Sequence, residues 1–170
     1  MNRREAAGLT RSGLPGLVAC GVLAGCGVGV DEAALSPWTP EQIDSIIQAT
    51  PSELTPHEVA EAYALGSNAT SLQRETLEQA LIGSVVEWDI EVYDVALIEG
   101  RYKVISEPIP IESSEAAELL RVVVFVQPQG EADEALLRAV QTSDVIRIRG
   151  QVGEIQLRTA LVMWPAVVVR

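Results

Sequence analysis

Cysteine and histidine are nearly missing from this chain: 170 residues contain two cysteines, Cys20 and Cys26, and one histidine, His57. Cysteine zinc sites and Ser-His or Cys-His catalysis therefore have little material, and no catalytic set, metal site or cofactor is expected. Aromatic residues make up only 4% of the chain, so Trp88, Phe125 and Trp164 are expected in the core rather than on a stacking platform. Basic residues are scarce as well, 12 against 24 acidic. Nucleic-acid binders draw much of their affinity from Lys and Arg neutralising phosphates. A net charge of −12 thus leads to the expectation that nucleic acid is not a partner.

A long unbroken apolar run is also lacking. Residues from Ser12 to Val30 carry no charge, but Gly13, Pro15, Gly16, Gly21, Gly25, Gly27 and Gly29 interrupt them. A membrane-spanning helix needs about 20 predominantly apolar residues, and the convincing part, Leu14 to Val22, is much shorter. Arg3, Arg4 and Arg11 form a basic head before it, and Ala24-Gly25 a small-residue exit after it. That is the layout of a secretory signal.

Leu23-Ala24-Gly25-Cys26 resembles the bacterial lipobox, which implies that the Cys26 thiol is acylated and that Cys26 becomes the new N-terminus. Leu17-Val18-Ala19-Cys20 fits the same short pattern, but cutting there leaves too few apolar residues after Arg11. An ordinary signal cut and an uncleaved anchor are the alternatives. Gly27 stands where an aspartate would, by resemblance to known sorting rules, favour the inner membrane. The expected place is the periplasmic face of the outer membrane, with inner-membrane retention and surface display as the other options.

These signals divide the chain into a signal peptide (1–25), an acylated N-terminus and tether (26–38), a helical segment packed on the barrel (39–83) and a β domain (84–170). Removal of 1–25 takes three arginines and one glutamate, leaving 9 basic and 23 acidic residues, a net of −14. Of these, 26–83 hold one basic and nine acidic groups, and 84–170 hold eight and fourteen.

Thr39-Pro40-Glu41-Gln42 and Thr55-Pro56-His57-Glu58 each combine a capping threonine, a proline at the first helical position and a Gln or Glu three residues on. Both predict helix starts. Thr70-Ser71-Leu72-Gln73 repeats the cap without the proline, and Gly83 closes that helix. After Gly83 the period becomes two. Val86, Trp88, Ile90 and Val92 alternate with Glu87, Asp89 and Glu91, predicting a strand with one buried face. Strands follow over 101–107, from Leu119, over 144–152 and over 160–169, with a short helix at 131–140. The third is apolar on both faces, so the helices from Pro40 to Leu81 are expected to cover the side bearing Val123 and Phe125. Pro165 marks a bulge or edge in the last strand.

Three strands, a helix and two strands is the order of the five-stranded OB-fold barrel. The fold class is therefore mainly β with N-terminal α: an OB-fold barrel preceded by two or three short helices. Ser143 to Val152 resembles the fourth strand of that fold, with Gly150 where the strand bends and serine in place of a first glycine. Residues 54–169 resemble the tRNA-anti-like OB domains of bacterial lipoproteins, a family without an assigned function.

Glu87, Asp89 and Glu91 share one side of the first strand. If that strand lies between the second and fourth, as in other OB-folds, they face Arg101 and Lys103 on one side and Arg147 and Arg149 on the other. Cross-strand pairs of opposite charge stabilise a sheet. A charge ladder is the favoured reading, and an enzyme using these carboxylates the alternative. Were Arg101, Lys103, Arg147 and Arg149 grouped and unpaired, they would form a ligand site. His57, second in its helix, is expected to be exposed and inert. Residues 108–118 are a binding loop or a solvated one. The expected function is a membrane-anchored, non-enzymatic binding or scaffolding lipoprotein. Its partner classes are the membrane through its lipid, an envelope protein, and a cell-wall oligosaccharide or peptidoglycan. Replacing Cys26→Ser should abolish palmitate labelling and release the protein from the membrane fraction; labelling that persists would move the modification to Cys20.

Overall fold

The computed structural model describes residues 38–64, 67–111 and 120–170. The expected signal peptide, Cys26, the expected tether up to residue 37 and most of 108–118 lie outside the described residues. Four helices, α1 (Pro40–Gln48), α2 (Pro56–Tyr63), α3 (Ser71–Leu81) and α4 (Glu131–Ala139), accompany five strands. The strands are β1 (Val85–Ile98), β2 (Arg101–Ser106), β3 (Arg121–Val126), β4 (Val145–Gln156) and β5 (Ala160–Val168). They close into a barrel in the order β1-β2-β3-β5-β4, antiparallel except for β3 against β5. With α4 between β3 and β4, this is an OB-fold.

Each N-terminal helix starts as its sequence predicts. Thr39, Thr55 and Thr70 accept hydrogen bonds from the third helical N–H, while Gln42, Glu58 and Gln73 reach back to the cap N–H. Such caps matter in helices of eight to eleven residues, because so short a helix is marginal without them. Trp38 and Ile43 flank the first cap at the positions of a hydrophobic staple.

The alternating residues of β1 turn Val86, Trp88, Ile90 and Val92 into the barrel, where they meet Val104, Val122, Val124 and Ile148. Trp88 donates its indole N–H to the Leu54 carbonyl at 2.8 Å, tying the chain ahead of α2 to the interior. Val59, Ala60 and Tyr63 of α2 and Leu81 of α3 join that same core, as does Leu137 of α4.

The outer face of β3 has its own core. Val123 and Phe125 pack with Ala160 and Val162 of β5, and Trp38 and Trp164 lie against them. Phe125 is completely buried there, which contributes about 1.5–3 kcal/mol. α1 rests on β5 and β4 with Ile43 and Ile46 buried. The cover expected over Val123 and Phe125 is thus supplied by Trp38, with α1 beside it on β5 and β4. α2 and α3 serve the barrel interior instead.

β4 changes partner along its length, pairing with β1 up to Gln151 and with β5 from Ile148 onward. Gly150 lies in the overlap, opposite both Val86 and Ala166. A Cβ there would meet the Ala166 Cβ at 2.6 Å and the Pro165 carbonyl at 3.2 Å. The register of β5 against β3 jumps from Met163 to Ala166, so Pro165 does sit at a bulge. Gly150→Val should overpack this crossing, costing about 1–3 kcal/mol and lowering the thermal midpoint; an unchanged midpoint would show that the crossing yields freely.

Candidate functional site

The first half of β1 builds the expected ladder against β4. Asp89 lies directly opposite Arg147, and Glu87 opposite Arg149. Arg147 grips Asp89 with two hydrogen bonds of 2.7 Å, from Nε to Oδ1 and from Nη2 to Oδ2. This is the bidentate geometry that suits guanidinium to carboxylate. The Arg147 hydrogen bond holds the Asp89 carboxyl below the usual carboxylate range, and the same bond raises the Arg147 pKa. Arg149 donates to Glu87 Oε2 from Nε at 2.8 Å, and its Nη1 donates to the carbonyl of Ile47. That carbonyl belongs to the last turn of α1, so Arg149 fastens the helix to the ladder. Glu91 is opposite Val145 rather than a cation.

Arg101 and Lys103 do not face these acids. β1 carries a bulge between Val92 and Asp94, and its pairing with β2 begins only at Val92, opposite Ser106, and runs on through the part beyond the bulge. Arg101 lies opposite Ile98 and Lys103 opposite Ala96. The four cations proposed as a ligand site are therefore divided into two pairs on different stretches of the sheet. Arg147 and Arg149 are held in the ladder. Lys103 is half-buried between Ala96 and Phe125 on the outer surface. Arg101 is buried, its guanidinium stacked 4.6 Å from the centre of the Trp38 ring, a cation–π contact. His57 is exposed at the start of α2.

The Arg101–Trp38 stack forms one wall of a groove of about 520 Å³ beside the Glu99-Gly100 turn. Asp44 of α1 and Gln127 and Gln129, which follow β3, complete its polar lining. In OB-folds the outer face of β2 and β3, together with the β1–β2 and β4–β5 loops, receives oligonucleotides and oligosaccharides. The groove occupies the β1–β2 end of that face. The Trp38 indole N–H is buried and has no hydrogen-bond partner among the described residues. Sequence reasoning overlooked Trp38, although its place before a capping threonine, with Ile43 five residues on, is the staple signature. Tyr93 was also overlooked. It is 48% exposed, with the Arg121 guanidinium 4.6 Å from its ring centre. The only trace of it in the sequence is that the alternation of β1 falters after Val92.

No protein-family model and no curated protein matches this chain. Two solved structures are similar to it. A candidate nucleic acid-binding lipoprotein from Klebsiella pneumoniae subsp. pneumoniae MGH 78578 is 18% identical, with 75% of this chain and 97% of that one covered and a TM-score of 0.43. The aspartyl tRNA synthetase from Entamoeba histolytica is 13% identical over 71% of this chain and 24% of its own, with a TM-score of 0.33. The first of these corrects one expectation: nucleic acid does not come off the list of partner classes on net charge. Charge summed over the chain was a poor guide, because 84–170 hold eight of the nine basic residues left after position 25.

The ladder makes stability depend on pH in a defined direction. A carboxylate whose folded pKa lies below its unfolded value stabilises the fold above the unfolded value, about 3.9 for aspartate, and loses that contribution as pH falls through the folded pKa. Asp89→Asn should therefore lower the melting temperature at neutral pH and in low salt, and the gap from the parent protein should narrow as pH drops below about 4. A gap that is constant across pH would show that the Asp89–Arg147 pair contributes nothing.

Proposed function

We propose that this chain is a non-enzymatic binding or scaffolding lipoprotein, held through acylated Cys26 at the periplasmic face of the outer membrane. Its groove beside Trp38 takes cell-wall oligosaccharide. The observation that carries the reading is the composition of that groove. One aromatic side chain, one guanidinium, two amides and two carboxylates, Asp44 and Glu99, converge at the end of the barrel face that OB-folds use for polymers. Sugar rings present apolar C–H faces and a rim of hydroxyls that both donate and accept. An indole face suits the first, and planar amides and carboxylates suit the second. Arg101 and Lys103 stand on this side of the barrel and would meet any acidic groups of the glycan.

The binding-module reading also gains from the state of the β1 acids. Glu87 and Asp89 are bound by Arg149 and Arg147, whereas a catalytic pair would need free carboxylates facing a cleft. Membrane attachment rests on the lipobox resemblance; among the described residues no helix is long and apolar enough to cross a bilayer.

Titration with soluble peptidoglycan fragments, followed by tryptophan fluorescence, tests the ligand. Trp38 is one of three tryptophans and the one at the groove, so saturable quenching lost in Trp38→Ala and in Gln127→Ala/Gln129→Ala is expected. Single-stranded oligonucleotide is the competitor in the same assay, since OB barrels take it on the same face. Preferential displacement by oligonucleotide, or quenching that survives both variants, would overturn the glycan assignment.

A further inference from the structure

From the far end of β1 we infer a second interaction surface, one that adds an extended basic peptide as a sixth strand. It is independent of the lipid anchor and, apart from Glu99 at the shared turn, of the groove at Trp38. β1 is fourteen residues long, and β4 pairs with it only as far as Glu91. Residues 141–144 carry that edge slightly further: Val92 exchanges backbone hydrogen bonds with Asp144 and Ser143, and the Tyr93 carbonyl accepts from the Thr142 hydroxyl at 3.1 Å. Beyond Tyr93 no described strand lies beside this edge. Among the described residues, the β2 ladder is the only backbone pairing of 94–98.

The register shows which groups are open. Ile98 and Arg101 flank the two-residue turn Glu99-Gly100, whose φ values of 50° and 82° mark a hairpin of the I′ kind. They form a hydrogen-bonded pair, and hydrogen-bonded pairs alternate along an antiparallel ladder. Ile98, Ala96 and Asp94 thus aim their N–H and C=O groups at β2. Those of Val95 and Leu97 point to the opposite edge.

That edge borders a groove of about 500 Å³ whose far wall is the end of α4 and the residues after it, including Leu137, Val140 and Gln141. Leu97 is 60% exposed in this groove. A strand laid here would gain main-chain hydrogen bonds from Val95 and Leu97, and its alternate side chains would enter the apolar slot between Leu97 and Leu137. This is how exposed sheet edges capture extended peptides.

Charge selects the occupant. Glu91, Asp94 and Glu99 are exposed along this stretch, and none is in an ion pair among the described residues. Arg138, the cation on the groove wall, is turned onto the Tyr102 hydroxyl at 2.8 Å and Glu134 at 3.4 Å. Arg121 is stacked on Tyr93. A second copy of this chain would bring the same carboxylates against themselves, so a peptide alternating basic and apolar residues fits the edge better.

The test uses the full chain in detergent with a fluorescent peptide alternating lysine and valine, and its glutamate–valine counterpart as control. The basic peptide should bind, bind less well as salt rises, and slow amide exchange at Val95 and Leu97. Leu97→Pro removes one donor from the open edge, and Leu97→Lys places a charge there while keeping the backbone; each should raise Kd by about tenfold or more, as should Glu91→Lys/Asp94→Lys. Equal binding of the acidic peptide, protection confined to other strands, or unchanged affinity in variants with parental circular dichroism would overturn the proposal. So would concentration-dependent pairing of the protein with itself through 94–98.

Discussion

Everything in this barrel turns on β1 having to serve two neighbours. A five-stranded sheet closes only if strands are shared, and β1 gives its first half to β4 and its second half to β2. The bulge between Val92 and Asp94 is where the exchange happens. An extra residue bends the strand and increases its twist, and here it also reverses which residues face inward. Before it, Glu87 and Asp89 point out toward Arg149 and Arg147; after it, Val95 and Leu97 share the inner side with Val104 and Tyr102. One local irregularity thus sets apart the charge ladder and the open edge.

The second organising element is the small core on the outside of β3 and β5. A strand with valines and a phenylalanine on both faces cannot be left with one face in water, and Trp38 and Trp164 are what cover it. Gly153 permits part of this: any Cβ there would stand 2.4 Å from the Trp164 ring. Placing Trp38 over the barrel in turn fixes where α1 begins, and Arg149 fixes where it ends by holding the Ile47 carbonyl. α1 is therefore pinned at both ends, although it is only nine residues long.

Most of the fold was legible in the residues. Three threonine caps placed three helices within a residue, and alternation placed β1, β2 and the first part of β4, because each pattern has a single local cause. The pairing of Glu87 with Arg149 and Asp89 with Arg147 was legible too, since antiparallel register converts spacing along one strand into spacing along the other. What was not legible depended on the bulge. A one-residue slip moves every later side chain to the other face, so Arg101 and Lys103 could not be placed against β1 without knowing where it bent. The groove at Trp38 was hidden for another reason: it joins residues near 40, 100 and 128 that only the closed barrel brings together.

Closure through a parallel pair has a temporal consequence. β3 meets β5 across a connection that includes α4 and the whole of β4, and the ladder joins residues 58 and 62 positions apart. Contacts of such separation are reached slowly, because chain entropy must be spent before they form. Synthesis delivers β5 last of the described strands, so Val123 and Phe125 have their β2 neighbours but lack Ala160 and Val162 of β5 until then. During that interval the early helices can form on their own caps, but the barrel cannot, and a holding factor that binds extended apolar segments has its longest opportunity at β3.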